Sequence, residues 1–172
     1  MNLNNFLSKL FFIGITVHEI AHLFACVILG VRVRRVKLFS FTDGYVVHDE
    51  SRSYKNIVIS TFPFFFNTLV AFLCIYLLKS EILLIYKVFI GWIAISSLFY
   101  SIPSKQDAKN VFASVKKSYR WRQSVFKWAY KIILLPLTIL ILILSWLFKL
   151  FDQSFLVRLA LILTWVYLLI IL

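Results

Sequence analysis

Acidic residues and histidines are scarce in this chain: its 172 residues hold only 7 Asp and Glu and 3 His, against 19 Lys and Arg. Cysteine is nearly absent as well. Cys26 and Cys74 both lie in apolar runs, which excludes a disulfide scaffold and makes them small buried hydrophobes. With 4 Gly and 3 Pro, the sequence is neither collagen-like nor a flexible linker. Charged residues make up 15% and hydrophobic residues 62%. A soluble domain has about 25% charged and about 45–50% apolar residues, so a soluble domain and a disordered chain are both excluded. No small-x-small cleavage site follows the apolar stretch after Lys9, so no cleavable signal peptide is expected. The mean hydropathy of +0.90 calls for lipid as solvent. At a prior of about 150 residues per domain, residues 1–172 form a single integral membrane domain.

Five apolar stretches approach the ~20 residues needed to cross a ~30 Å hydrocarbon core: Leu10–Val31, Ile57–Leu78, Ile82–Pro103, Ile132–Phe148 and Phe155–Leu172. Pro63 interrupts the second, Pro136 sits early in the fourth, and a short link makes the last two a C-terminal helical hairpin over 132–172. The first connection alternates apolar and basic residues at Val31–Arg34. It then has a turn signal at Thr42-Asp43-Gly44 and a second β-type run from Tyr45, which predicts a β-hairpin. The expected fold is an all-α membrane protein of about five transmembrane helices with a small β-hairpin region between the first two.

Charge sets the orientation. The first and third connections carry Arg32, Arg34, Arg35, Lys37, Arg52 and Lys55, and then Lys105, Lys109, Lys116, Lys117, Arg120, Arg122, Lys127 and Lys131. These 14 lie on one side and the remaining 5 basic residues on the other. The positive-inside rule places the N-terminus outside and the C-terminus in the cytoplasm, in a bacterial or archaeal plasma membrane. Residues 104–131 read as a basic interfacial segment, with Val111, Val115 and Tyr119 at helical spacing, facing anionic lipid headgroups. No nucleic-acid-binding motif accompanies the basic residues, so nucleic acid is not an expected partner.

The chemistry concentrates in the first span, at His18-Glu19-Ile20-Ala21-His22. On a helix, His18 and His22 project from one face a turn apart and can grip one Zn²⁺. Glu19 lies on the flank, where it can take a proton from zinc-activated water. Chance matches arise about once in a few hundred chains. An ionisable residue at mid-bilayer costs about 2.5–3.5 kcal/mol, so the cluster calls for a function. A third ligand must come from the few remaining candidates: Asp43, His48, Asp49, Glu50 and Asp107 lie on the same side as the motif. Asp107 has two readings. Ser104-x-x-Asp107 matches a capping box, and the carboxylate is also free to ligate metal just past the stop at Pro103.

These features resemble the site-two protease family of intramembrane zinc metalloproteases. The resemblance spans about residues 10–112. It is carried by His18-Glu19-x-x-His22, the basic β-type stretch ending Gly44-Tyr45-Val46-Val47-His48, Pro63-x-x-x-Asn67 and Pro103-x-x-x-Asp107. It implies one zinc ion per chain held by His18, His22 and Asp107, with Glu19 as general base, acting on membrane-spanning protein substrates near the cytoplasmic face. It also makes Asn67, Gly44 and Tyr45 candidates for holding substrate backbone, the hairpin doing so by strand addition. No PDZ or CBS module accompanies this minimal core. Tyr100 and Ala108 stand where the family commonly has Asn and Gly. A membrane zinc protein that cleaves nothing, derived from such a protease, is the competing reading.

Overall fold

The structure is a computed structural model. It describes residue 6, residues 9–40 and 44–118, and isolated positions between 139 and 167. The predicted fourth and fifth spans and the Thr42-Asp43 turn lie outside the described residues.

The described part is mostly helical. Helix α1 spans Phe12–Ile28, strands β1 Val33–Lys37 and β2 Tyr45–His48 follow, and then come α2 Ser53–Leu77, α3 Leu84–Phe99 and α4 Lys105–Ser118. The strands pair antiparallel, with an irregularity between Val33 and Arg35 where the sequence alternation breaks. This is the small hairpin expected between the first two apolar stretches.

The helices fill the first three predicted spans with altered ends, each for a local reason. α1 stops at a Schellman motif: Val31 N–H donates to Cys26 O at 2.8 Å, Gly30 N–H donates to Val27 O at 3.1 Å, and Gly30 takes φ +61°. Val31 then packs on Cys26 in one apolar cluster with Ala25 and Ile59. α2 starts four residues earlier than predicted, after extended Arg52, and runs through Pro63 without a break. α3 ends at Phe99, ahead of Pro103, because the residue before a proline disfavours helix. Among the described residues, only the 25-residue α2 is long and apolar enough to cross a membrane by length and composition. α1 and α3, of 17 and 16 residues, are apolar but shorter.

The three apolar helices run up, down and up. α1 and α3 are parallel: Trp92 Nε1 donates to Leu10 O at 2.9 Å, Gly14 meets Ser96, and His18 Nδ1 lies 2.8 Å from Tyr100 O. These contacts keep one register over two turns. α2 opposes both, with Lys55 on Leu29 O and Phe62 against Phe24, then Asn67 on Tyr100 O and Ala71 beside Leu98. The stripe of α1 facing inward is small or polar, with Gly14, His18, Glu19, Ala21, His22 and Ala25 buried. Phe24, Val27 and Ile28 on its outer side are exposed.

Gly14 sets the spacing of α1 against α3. A Cβ there would lie 2.0 Å from Ser96 O, which is backbone and cannot swing aside. At Gly91 the nearest atom to a Cβ would be Leu78 Cδ1 at 4.0 Å. Gly14→Ala is therefore expected to destabilise the bundle by about 1–3 kcal/mol, and Gly91→Ala to stabilise it by about 0.5–1 kcal/mol. Denaturant unfolding in detergent checks both.

Candidate metal centre

His18 and His22 stand one turn apart on α1, with ring centroids 4.9 Å apart. Asp107 comes from the first turn of α4, brought beneath them by the chain reversal at Ser101–Ser104. All three side chains are buried, at 6–8% exposure, and one ligand atom from each falls within 4.8 Å of the others. Asp107 Oδ2 lies 3.4 Å from His18 Nε2, and Asp107 Oδ1 lies 3.3 Å from His22 Nε2. The three residues singled out in the sequence as ligands are thus assembled. His48 lies in β2 and is not among the clustered donors.

The far side of each ring fixes what the near side can do. His18 Nδ1 is 2.8 Å from Tyr100 O, and His22 Nδ1 is 2.9 Å from Ile59 O. A carbonyl oxygen only accepts, so each Nδ1 carries the hydrogen, and in the neutral ring each Nε2 then presents a lone pair. Two lone pairs and a carboxylate converging in a buried site call for positive charge between them, which protons or a metal ion could supply. Protons on both rings would supply charge, but a charge-assisted N–H···O contact closes to about 2.7–2.9 Å. The observed 3.3 and 3.4 Å are longer, and they leave room for an ion shared by all three. Burial pushes the Asp107 carboxyl up. With the ring edges protonated instead, hydrogen bonding and charge from His18 and His22 outweigh burial and hold Asp107 well below the usual carboxylate range, so it is ionised.

The two sequence readings of Asp107 are both realised. Its Oδ2 accepts from Ser104 N at 3.0 Å and from Ser104 Oγ at 2.6 Å, while Asp107 N–H donates to Ser104 Oγ at 3.2 Å. This is a reciprocal capping box. It leaves Oδ1 entirely to the histidine side and pins the carboxylate in one rotamer.

Glu19 is buried at 9% exposure on the same helix. Gly44, just before β2, lies against it: a Cβ on Gly44 would fall 2.5 Å from Glu19 Cγ. Thr16 Oγ1 donates to Leu38 O at 3.2 Å and ties the end of β1 to the same helix. The hairpin thus reaches the acid through a glycine. Tyr45 is half exposed and pairs with Lys37. Asn67 is fully buried, and its Nδ2 donates to Tyr100 O at 2.9 Å, so one carbonyl accepts from both Asn67 and His18. What sequence reading missed is the role of Tyr100 and Ile59. Both act through backbone oxygens, which leave no side-chain signature.

Asp107→Asn keeps an acceptor for the cap but removes the anionic ligand. Metal affinity is expected to fall beyond the ~10–100-fold typical of outer-shell changes, with the metal-free fold retained. Ser104→Ala should cost about 1 kcal/mol of stability and roughly tenfold in affinity. Chelator competition and thermal unfolding separate the two variants. No protein-family model matches the chain, and no curated protein and no solved structure matches it either.

Proposed function

We propose that the chain is an intramembrane zinc metalloprotease of the site-two protease type, with His18, His22 and Asp107 holding one zinc ion and Glu19 acting as general base. The observation that carries this reading is the ligand spacing. Zinc bonds of about 2.0–2.1 Å in a tetrahedron put neighbouring ligand atoms about 3.3–3.4 Å apart. His18 Nε2 lies 3.4 Å from Asp107 Oδ2 and His22 Nε2 lies 3.3 Å from Asp107 Oδ1, so each histidine meets that spacing on its own carboxylate oxygen. Two imidazoles and one carboxylate are also the donor set of catalytic zinc, which keeps a fourth position open. Bound there, zinc would supply Lewis acidity that lowers the pKa of water to about 7.

The chain's own residues would do the rest. Glu19, one residue along from His18, accepts the proton from the attacking water. Gly44 brings the hairpin against Glu19, so an extended stretch of substrate added to the sheet has its carbonyls beside the triad and its freed amides satisfied. The substrate is a membrane-spanning protein, locally unwound.

The bilayer setting draws support from the outward faces of the helices. Val27 and Ile28 on α1, Phe65 and Tyr76 on α2, and Leu84 and Ile85 on α3 are all exposed at 62% or more. Inside the bundle, Ser60, Asn67, Ser96 and Ser97 are buried at 2% or less. Apolar outside and small or polar inside is the pattern of helices packed in lipid. The alternating directions of α1, α2 and α3 are those of successive crossings in the five-span topology. Arg34, Arg35 and Lys37 on the hairpin and Lys105, Lys109, Lys116 and Lys117 on α4 are exposed, and they cluster at the end of the bundle that holds the triad. Anionic headgroups of the cytoplasmic leaflet suit that surface, and they set the N-terminus outside.

Glu19→Gln, co-expressed with a single-span substrate, is expected to keep about one zinc per chain while cleavage falls by roughly 10²–10⁴-fold. His22→Ala should lose both. Cleavage that survives Glu19→Gln defeats the mechanism. A wild-type protein that binds zinc and cleaves no substrate supports the inactive, metal-binding alternative.

A further inference from the structure

The carbonyl that orients His22 comes from an unusual place. Ile59 lies inside α2, six residues after its start at Ser53, not at a helix end. In an unbroken α-helix its oxygen accepts the N–H four residues on. That residue is Pro63, which has no N–H, and whose ring crowds the carbonyl of residue i−4 and pushes it off the helix axis. Pro63 and Ile59 are both among the fully buried side chains, so the proline faces the bundle interior rather than lipid. The oxygen deprived of its helical donor is the one found 2.9 Å from His22 Nδ1.

We infer that Pro63 is a positioning residue for the metal centre: it withholds the helical donor from Ile59 O, so that this carbonyl holds His22 as the Nδ1–H tautomer with Nε2 turned to the metal. The partner histidine is held in a parallel way. His18 bonds Tyr100 O at the point where α3 stops before Pro103. A continuing helix would send Ser104 N–H to that oxygen, but Ser104 N–H donates to Asp107 Oδ2 instead. Both orienting carbonyls therefore come from helical positions that lack their usual donor. The inference rests on the metal-centre reading of His18, His22 and Asp107, and not on the protease activity.

The test is Pro63→Ala beside Pro63→Gly. Both restore an N–H at position 63. The glycine leaves the helix free to bend, so the pair separates the missing donor from the shape of the ring. In metal-free protein in detergent, ¹⁵N spectra of His22 should show a single Nδ1–H tautomer in wild type and a mixture in both variants. Zinc affinity by chelator competition should fall about tenfold in each. Thermal stability of the metal-free Pro63→Ala protein should be equal to or above wild type, since alanine favours a helix interior. An unchanged His22 tautomer with unchanged zinc affinity overturns the inference. So does a loss of zinc that only tracks loss of the fold, with His22 still Nδ1-protonated in what remains folded. A wild-type protein that binds zinc but cleaves nothing would defeat the protease reading and leave this one standing.

Discussion

His18, His22 and Asp107 converge on one point inside the bundle, close enough to share a metal ion, and the surrounding structure holds each of the three in place. His18 and His22 cannot turn away, because each Nδ1 is tied to a backbone oxygen, Tyr100 O or Ile59 O. Asp107 cannot turn away either, because Ser104 holds one of its oxygens through two hydrogen bonds. Each tie removes rotamer freedom before any ion arrives. Ordering the ligands in advance is what lets the free energy of binding appear as affinity rather than being spent on rearrangement.

The ties in turn depend on how closely the helices approach. His18 reaches Tyr100 O only because α1 and α3 run parallel and in register, and one turn earlier that register passes through Gly14 against Ser96 O. Asn67, from α2, donates to the same Tyr100 oxygen, so all three apolar helices meet at one carbonyl. In the bilayer setting proposed above, no hydrophobic force acts between helices, and small residues and buried hydrogen bonds supply the association. Ser60, Ser96 and Ser97 fit that role in the core. The contacts that hold the bundle together are, on this reading, largely the contacts that hold the ligands.

Much of this was legible in the sequence wherever a side chain carries the signal. The histidine pair and Glu19 follow from i, i+4 spacing. The hairpin follows from alternation, and its irregular step near Arg35 from the break in that alternation. The helix ends were legible only in part: Gly30 closes α1 earlier than the apolar run does, because a Schellman turn needs its positive φ. For Asp107, spacing cannot show that one carboxylate both completes a cap and faces two histidines. Ile59 and Tyr100 were invisible, since any residue offers a carbonyl. What distinguishes them is a missing donor, and for Ile59 that absence is written four residues away.

The same distinction bears on the two positions near the site that differ from the pattern the sequence resembles. Tyr100 stands where the resemblance expects asparagine, yet it is the backbone oxygen of Tyr100 that meets His18 and Asn67. Its ring packs instead on Phe99, with centroids 5.3 Å apart, in the cluster that closes the α2–α3 contact. Side-chain identity at this position is therefore free to serve packing while the backbone serves the ligand. Ala108, in place of glycine, is buried at 5% exposure inside the first turn of α4. There a methyl group favours the helix that the Ser104–Asp107 cap begins. Both substitutions leave the donors and acceptors around the triad in place, because at these two positions the chain contributes main-chain geometry and not side-chain chemistry.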